Sequence, residues 1–181
     1  MQQPQAGFTL IELLITLAVA GVLMMVAVPS FVQFQRNARL SDAVSSFISA
    51  ANSARANAMK QGVNTYLVSA TGTNWSSGWL VYSDANWNKV FDDGTEEVVL
   101  RHEALGTDLT ITTPGATGGP NSLVDGYLMF NGSGYPRLKS GAFSNGSIEI
   151  KTTDRPTDRP RTIIFDQVGR VRSCIPGSTG C

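Results

Sequence analysis

Residues 8–28 have the sequence FTLIELLITLAVAGVLMMVAV, 21 consecutive residues with a single charge at Glu12. As an α-helix this segment would be about 30 Å long, the thickness of the hydrocarbon layer of a bilayer. A retained transmembrane helix and a cleaved secretory signal peptide both have such a segment. This one is longer than the usual signal-peptide core, with no Lys or Arg before it and no A-x-A site after it, so we expect a retained helix.

Glu12 is costly inside this segment because an ionised carboxylate in lipid needs a partner. Spacing alone leaves two possibilities: the side chain snorkels to the membrane surface, or an α-amino group of a neighbouring subunit neutralises it. The second possibility requires that the chain be cut after Gly7, which would place the new N-terminus, Phe8, one helical turn from Glu12.

The sequence after Pro29 is amphipathic, with polar residues between apolar residues that recur at helical spacing. We therefore expect one helix over residues 8–60, whose face between residues 31 and 60 covers a sheet, and which stops at Gly62. The apolar positions of that face are Phe31, Phe34, Ala38, Val44, Phe47, Ile48, Ala51, Ala54 and Ala58.

From residue 65 the apolar residues alternate with polar ones, which is typical of β-strands. Eight short segments have this pattern: 65–70, 78–83, 97–101, 109–113, 127–130, 147–151, 162–165 and 170–173. The last two, joined by DQVG, predict a terminal hairpin. The predicted fold class is α+β: a long N-terminal transmembrane and amphipathic helix packed on a C-terminal antiparallel β-sheet head.

Composition argues against several classes of function. The chain has 181 residues, 14 basic and 14 acidic, so no overall field attracts it to DNA or anionic lipid. The charge is uneven, however: residues 1–136 carry six basic and ten acidic residues, and residues 137–181 carry eight basic and four acidic. One histidine, His102, and two cysteines are too few for most metal or Cys/His catalytic sites, so we expect no enzyme, cofactor or metal.

An acidic loop follows the second strand segment. Asp84, Asn86 and Asn88 alternate like the first ligands of a calcium loop, but Lys89 and Thr95 occupy the positions where an EF-hand needs Gly and Glu. We expect these side chains to form turns by bonding their own backbone.

Cys174 and Cys181 enclose IPGSTG, a turn-forming loop that can bring the two sulfurs together. We expect a mutual disulfide, with free thiols or a bond to another subunit as the alternatives. Two cysteines so close together also indicate an oxidising compartment.

The string GFTLIE at residues 7–12, followed by the apolar helix and Pro29, resembles the N-terminal signal of type IV prepilins and type II secretion pseudopilins. The resemblance implies that a prepilin peptidase cuts after Gly7 and methylates Phe8. It also implies that Glu12 serves assembly by subunit pairing, with other major and minor pilins as partners.

The same resemblance implies a single-pass inner-membrane protein with a cytoplasmic leader and a periplasmic head, found later in the pilus at the cell surface. One feature departs from the family, since the leader MQQPQA has no basic residue. By the positive-inside rule alone, Arg36 and Arg39 would place the head in the cytoplasm. We follow the resemblance.

Residues 78–101, GWLVYSDANWNKVFDDGTEEVVLR, are similar to the GspH/FimT group of minor pilins and pseudopilins. They combine a Gly-Trp strand, an Asp- and Asn-rich turn and a second strand that ends in Leu-Arg. The organisation implied is a leader at 1–7, a transmembrane and assembly helix at 8–28, an amphipathic helix at 29–62, and a head at 63–181 with a DNA-binding tail.

Gly169, Arg170 and Arg172 match the GRxR motif that the resemblance links to DNA binding in the FimT branch. Residues i and i+2 of a strand lie on one face about 7 Å apart, close to the spacing of successive phosphates. Val171 would then point into the core, and Gly169 would leave room for close approach. The alternative is a turn glycine followed by two solvent-exposed arginines.

Other basic residues could widen this patch, although the tandem TDRP repeat at residues 153–160 is also typical of a solvated loop. They are Arg137, Lys139, Arg155, Arg159 and Arg161. The function implied is a minor type IV pilin that binds extracellular DNA non-specifically for uptake in natural transformation. The alternatives are a structural minor pilin of the FimU kind, which starts pilus assembly without binding DNA, and a minor pseudopilin of type II secretion.

Overall fold

The computed structural model describes residues 7–114, 121–153, 159–179 and 181. Within these residues it has one α-helix, α1 Leu10–Gln61, and a 3-10 turn, Ser122–Asp125. The strands are β1 Thr65–Thr71, β2 Asn74–Ser83, β3 Val98–His102, β4 Leu109–Thr112, β5 Tyr127–Phe130, β6 Pro136–Arg137, β7 Gly146–Thr152, β8 Arg161–Phe165 and β9 Val171–Cys174.

The N-terminal part of α1 is an exposed apolar helix. The residues up to Arg39 form one unit and Leu40–Cys181 form a second, more extensively packed unit. The most apolar 18-residue stretch of α1 has none of its residues buried, and α1 is long and apolar enough to cross a membrane. The helix is continuous through Pro29.

The C-terminal part of α1 packs on the sheets through small residues. Its most buried positions, all 0% exposed, are Ala50, Ala51, Ala54 and Ala58. The helix thus contributes mainly small side chains to this interface, and the strands contribute larger ones such as Leu67, Val81 and Ile150. Phe47 is a large residue buried on the same face of the helix. Its ring lies edge-on to the rings of Trp75 and Trp79 at centroid distances of 5.4 and 5.3 Å.

The buried face of α1 begins later than the sequence predicts. We expected it to begin at Phe31, but the first buried helix residue is Leu40, and Phe31 and Phe34 are 63% and 70% exposed. The part of α1 that packs on the sheets and the exposed part before it both have apolar residues at helical spacing. Periodicity therefore could not show where along the helix burial begins.

The strands form two antiparallel sheets, with the orders β3-β2-β1-β5-β6 and β4-β7-β8-β9. Both contribute to one core under α1, through Leu67, Val81, Leu128 and Phe130 of the first sheet and Ile111, Ile148, Ile150, Ile163 and Phe165 of the second. The opposite face of the first sheet is buried too, by Tyr66, Leu80, Tyr82, Tyr127 and Met129. The outer face of the second sheet is mostly polar, with Thr112, Glu149, Thr162 and Arg172 alongside Ile164.

This architecture confirms the predicted α+β class, and each of the eight expected segments overlaps one observed strand. The prediction missed β6, because a strand of only two residues, Pro136 and Arg137, has no alternation to detect. It also began β2 four residues late, at residue 78 instead of Asn74.

The loop between β2 and β3 is held by its own Asp and Asn side chains, as expected from its turn residues. Backbone N–H groups of Asn88, Val90 and Lys89 donate to Asn86 Oδ1, Asn88 Oδ1 and Asp84 Oδ2 at 3.0, 2.9 and 3.1 Å. In the described parts of the chain, no group of three or more His, Cys, Asp or Glu side chains is arranged to hold a metal ion.

Glu96 is a buried carboxylate in this loop, 7% exposed. Its Oε2 accepts a hydrogen bond from the backbone N–H of Asp92 at 3.1 Å, while Oε1 has no partner among the described residues. Burial raises the pKa of Glu96; the charges of Asp84 and Asp92 act in the same direction, and the Asp92 hydrogen bond opposes them.

A raised carboxyl pKa means that the folded state favours the protonated form, so the stability contributed by protonation is lost as pH rises. We therefore expect Glu96→Gln to raise the melting temperature at pH 7, with the gain disappearing below about pH 4, where the native glutamic acid is also neutral. Thermal unfolding between pH 3.5 and 8 measures this. Glu103→Gln, at an exposed position, is the control; equal pH dependence of the two variants would contradict the prediction.

Candidate functional site

The β8–β9 hairpin closes through a tight turn at Asp166–Arg170. β8 and β9 pair antiparallel, which confirms the predicted hairpin. The backbone N–H of Asp166 donates to Arg170 O at 3.1 Å, and that of Gly169 donates to Asp166 O at 2.9 Å. Asp at the first and Gly at the fourth position are the residues that such a turn favours.

A side chain from α1 holds this turn in place. Arg55 Nη1 donates to Gly169 O and Nη2 donates to Val168 O, both at 3.0 Å. Arg55 was not among the residues predicted for the site. The available signal was its place beside the buried Ala54 and Ala58, where a charged residue needs a polar partner.

Gly169 is required by the fold of the turn. Its φ is 81°, and a Cβ there would lie 2.6 Å from Gly134 O and 3.1 Å from Arg55 Nε. We expected Gly169 to leave room for a phosphate, but this chain itself fills the space that the missing side chain leaves. Gly169 therefore affects the positions of Arg170 and Arg172 through the backbone conformation of the turn.

Arg170 is exposed but already has an acidic neighbour. Asp166 Oδ1 accepts hydrogen bonds from the backbone N–H of Val168 at 3.2 Å and of Arg170 at 2.9 Å. Asp166 Oδ2 forms an ion pair with Arg170 Nε at 3.1 Å. The side chains of Arg170 and Asp166 are 68% and 33% exposed.

Arg172 lies on the outer face of the second sheet. It is opposite Ile164 in the register, whereas Val171 is opposite Phe165 and packs against the core, as expected. Arg172 is exposed and makes neither a hydrogen bond nor an ion pair within the described ranges. The two arginines of the motif therefore differ, since Asp166 engages only Arg170.

Two of the additional basic candidates belong to the first sheet. Arg137 lies in β6, with its guanidinium carbon 3.7 Å from the centre of the Phe143 ring. Lys139 follows β6, with Nζ 5.0 Å from the centre of the Tyr127 ring. Aromatic rings thus place both cations at or just after the β6 edge of the first sheet, whereas Arg170 and Arg172 belong to the β8–β9 hairpin of the second sheet.

The remaining candidates lie around the start of β8. Arg161 is opposite the buried Ile150 in the register, and its Nη1 is buried without a partner among the described residues. It therefore lies on the core side of the sheet, away from the outer face that carries Arg172. Arg159 is exposed, and Arg155 lies outside the described residues.

The structure pairs Cys174 with Cys181, with a Cα–Cα distance of 5.6 Å. Cys174 is the last residue of β9, so the bond closes the following segment into a loop beside Arg172. Within this loop the backbone N–H of Ser178 donates to Ile175 O at 3.0 Å. The mutual disulfide was the pairing that we expected.

At the other end of the chain, Thr9 and Glu12 form a capping box around the first turn of α1. Glu12 Oε2 accepts hydrogen bonds from Thr9 N and Thr9 Oγ1, both at 2.9 Å, and Glu12 N donates to Thr9 Oγ1 at 3.3 Å. The T-x-x-E spacing of residues 9–12 is the sequence signal of this motif, although the predictions above do not include it. Glu12 thus has a hydrogen-bonding partner within its own chain.

The contacts at Gly169 predict that Gly169→Ala destabilises the head by about 1–3 kcal/mol, because it adds both left-handed backbone strain and a clash. Gly177→Ala is the matched control: Gly177 has a φ of 80°, and no atom of the described residues beyond its chain neighbours lies within 4 Å of its Cβ position. Urea unfolding of both variants separates strain from clash. Equal losses would show that the contacts with Gly134 and Arg55 do not matter.

The chain matches two family models: type II transport protein GspH over residues 43–169, and the prokaryotic N-terminal methylation motif over residues 3–28. No curated protein matches it. Among solved structures, the type IV minor pilin FimU of Pseudomonas aeruginosa has 18% identity, coverage of 80% of this chain and 98% of that chain, and a TM-score of 0.58. The minor pseudopilin EpsH of Vibrio cholerae has 14% identity, coverage of 77% and 99%, and a TM-score of 0.52.

These two structures share the fold of one long helix on antiparallel sheets, and both are pilin or pseudopilin subunits. The GspH match extends over well over half of the chain and includes the strands β1 to β8, ending before β9. The methylation motif includes Gly7, Phe8 and Glu12, the residues expected to serve processing and assembly. The chain therefore belongs to the GspH and type IV minor pilin family.

Proposed function

We propose that this chain is a minor type IV pilin whose head binds extracellular DNA non-specifically for uptake in natural transformation. The observation that carries the proposal is the exposed end of the β8–β9 hairpin, where Arg172 has no partner within the described residues. Hydrogen bonds from Arg55 and within the Asp166–Arg170 turn fix the backbone beside Arg172. DNA binding would therefore lose little conformational entropy of this backbone.

The chemistry of this surface suits a nucleic-acid backbone. A guanidinium group donates two parallel hydrogen bonds to phosphate oxygens and keeps its charge at every physiological pH. Phosphates carry no sequence information, so binding through Arg170 and Arg172 would be independent of sequence and steeply dependent on salt.

Two other functions each have an observation in their favour. The likeness to FimU favours a structural minor pilin that primes assembly, and the GspH family match favours a minor pseudopilin of type II secretion. Neither function requires the head to bind DNA. DNA binding by the purified protein separates the first proposal from both, and the presence of the subunit in pili or in a secretion complex separates the last two.

Assembly would follow the route implied by the N-terminal motif. In this proposal a prepilin peptidase removes residues 1–7 in the inner membrane and methylates Phe8, while the head is periplasmic. Among the described residues, no atom beyond the chain neighbours lies within 4 Å of a Cβ placed on Gly7, so packing against these residues does not require glycine there. Glu12 would then pair with the α-amino group of Phe8 on a neighbouring pilin, through Oε1, because the Thr9 bonds go to Oε2.

Glu12→Gln should be cleaved normally yet fail to enter pili, because Gln keeps a capping acceptor but cannot neutralise an α-amino group. Immunoblots of sheared pili and of the membrane fraction measure incorporation and cleavage. The control is Thr9→Val, which removes the capping hydroxyl but keeps the carboxylate and should still assemble. Normal incorporation of Glu12→Gln would refute the pairing.

Arg172→Gln should weaken binding to duplex DNA equally for unrelated sequences and reduce the slope of log K against log salt by about 0.9. Fluorescence anisotropy of the full chain in neutral detergent, at two or more salt concentrations, measures both quantities. Arg101→Gln removes the same charge from an exposed position on β3 and should change binding little.

The double variant Arg170→Gln/Arg172→Gln tests the motif as a whole. A folded double variant that binds as tightly as the parent would show that the motif is not the site. A parent that does not bind DNA would favour the structural pilin.

A further inference from the structure

We infer that Asp166 competes with phosphate for Arg170 and so sets the strength of DNA binding at this hairpin. The inference rests on the proposed function, since it concerns the regulation of the same site. It starts from the ion pair between Asp166 Oδ2 and Arg170 Nε at 3.1 Å. A phosphate that binds Arg170 in the bidentate manner must share or displace this carboxylate.

Asp166 cannot easily turn away when a phosphate approaches. Its Oδ1 accepts the backbone N–H groups of Val168 and Arg170, and rotating the carboxylate would leave both donors without that acceptor. The carbonyl groups of Val168 and Gly169 are in turn bound by Arg55. The negative charge is therefore held at the turn while the guanidinium of Arg170, 68% exposed, remains free to move.

This arrangement makes the two arginines unequal ligands. Arg172 can meet a phosphate without giving up another partner within the described structure. Arg170 must give up or share its ion pair, and the carboxylate that stays behind repels the phosphate. In the parent protein we therefore expect Arg172→Gln to weaken DNA binding more than Arg170→Gln does.

The substitution Asp166→Asn tests the effect of the carboxylate charge alone. Asparagine keeps an oxygen that can accept both backbone N–H groups and is equally favoured at the first position of a turn, so the hairpin is retained. Removing an exposed ion-pair partner should tighten DNA binding about two- to fivefold at 50 mM salt, with a smaller gain at 300 mM. Asp166→Ser, whose hydroxyl can also accept at this position, serves if the Asn variant unfolds.

The experiment is a cycle of the full chain in neutral detergent, with the parent, Asp166→Asn, Arg170→Gln and the double variant, titrated with one fluorescent duplex. The gain from Asp166→Asn should disappear when Arg170 is Gln. Glu149→Gln is the matched control: Glu149 lies 3.9 Å from Lys151 on the same sheet, so it also removes an acid that pairs with a base.

Four outcomes are decisive. A gain that requires Arg170 and exceeds that of Glu149→Gln supports the inference. A parent that binds DNA with no gain from Asp166→Asn overturns the inference and leaves the proposed function intact. If Asp166→Asn still tightens DNA binding when Arg170 is Gln, the carboxylate acts through the overall charge of the head and not through Arg170, and the inference is overturned. Absence of binding by both the parent and Asp166→Asn rejects the proposed function, and the inference with it.

Discussion

The packing of an alanine-rich face of α1 on both sheets is the interaction on which the rest of the head depends. Ala50, Ala51, Ala54 and Ala58 are fully buried on this face, so a larger side chain at any of these positions would displace its neighbours. In the same interface, the Phe47 ring packs edge-on against the rings of Trp75 and Trp79. This packing also brings Arg55 within hydrogen-bonding distance of the β8–β9 turn, so it positions the candidate site as well.

Much of this fold could be predicted from the sequence, because its strongest signals are periodic. The apolar run at residues 8–28, the alternation from residue 65 and the DQVG turn predicted the helix, the strands and the last hairpin. The two-residue β6 and the start of the buried face at Leu40 could not be predicted. Pairing of β6 depends on β5, and burial of a helix face depends on what lies opposite, and neither is encoded in local periodicity.

The candidate site shows a similar division. Arg170 and Arg172 could be found from a short motif, and Val171 could be assigned to the core from strand alternation. Arg55 could not be found in this way, since it meets the turn across more than 110 residues of sequence. Asp166 was visible only as a turn residue; that its second oxygen faces Arg170 is a matter of side-chain geometry.

The disulfide at the end of β9 also bears on self-association. β9 is an edge strand, and an exposed edge offers unpaired backbone groups to any other strand, including that of a second copy. Here the edge strand is four residues long, carries the charged Arg172, and runs into a loop closed by Cys174 and Cys181. These features discourage pairing of β9 with the edge strand of another subunit, which matters for a protein of a family whose members assemble with other pilins.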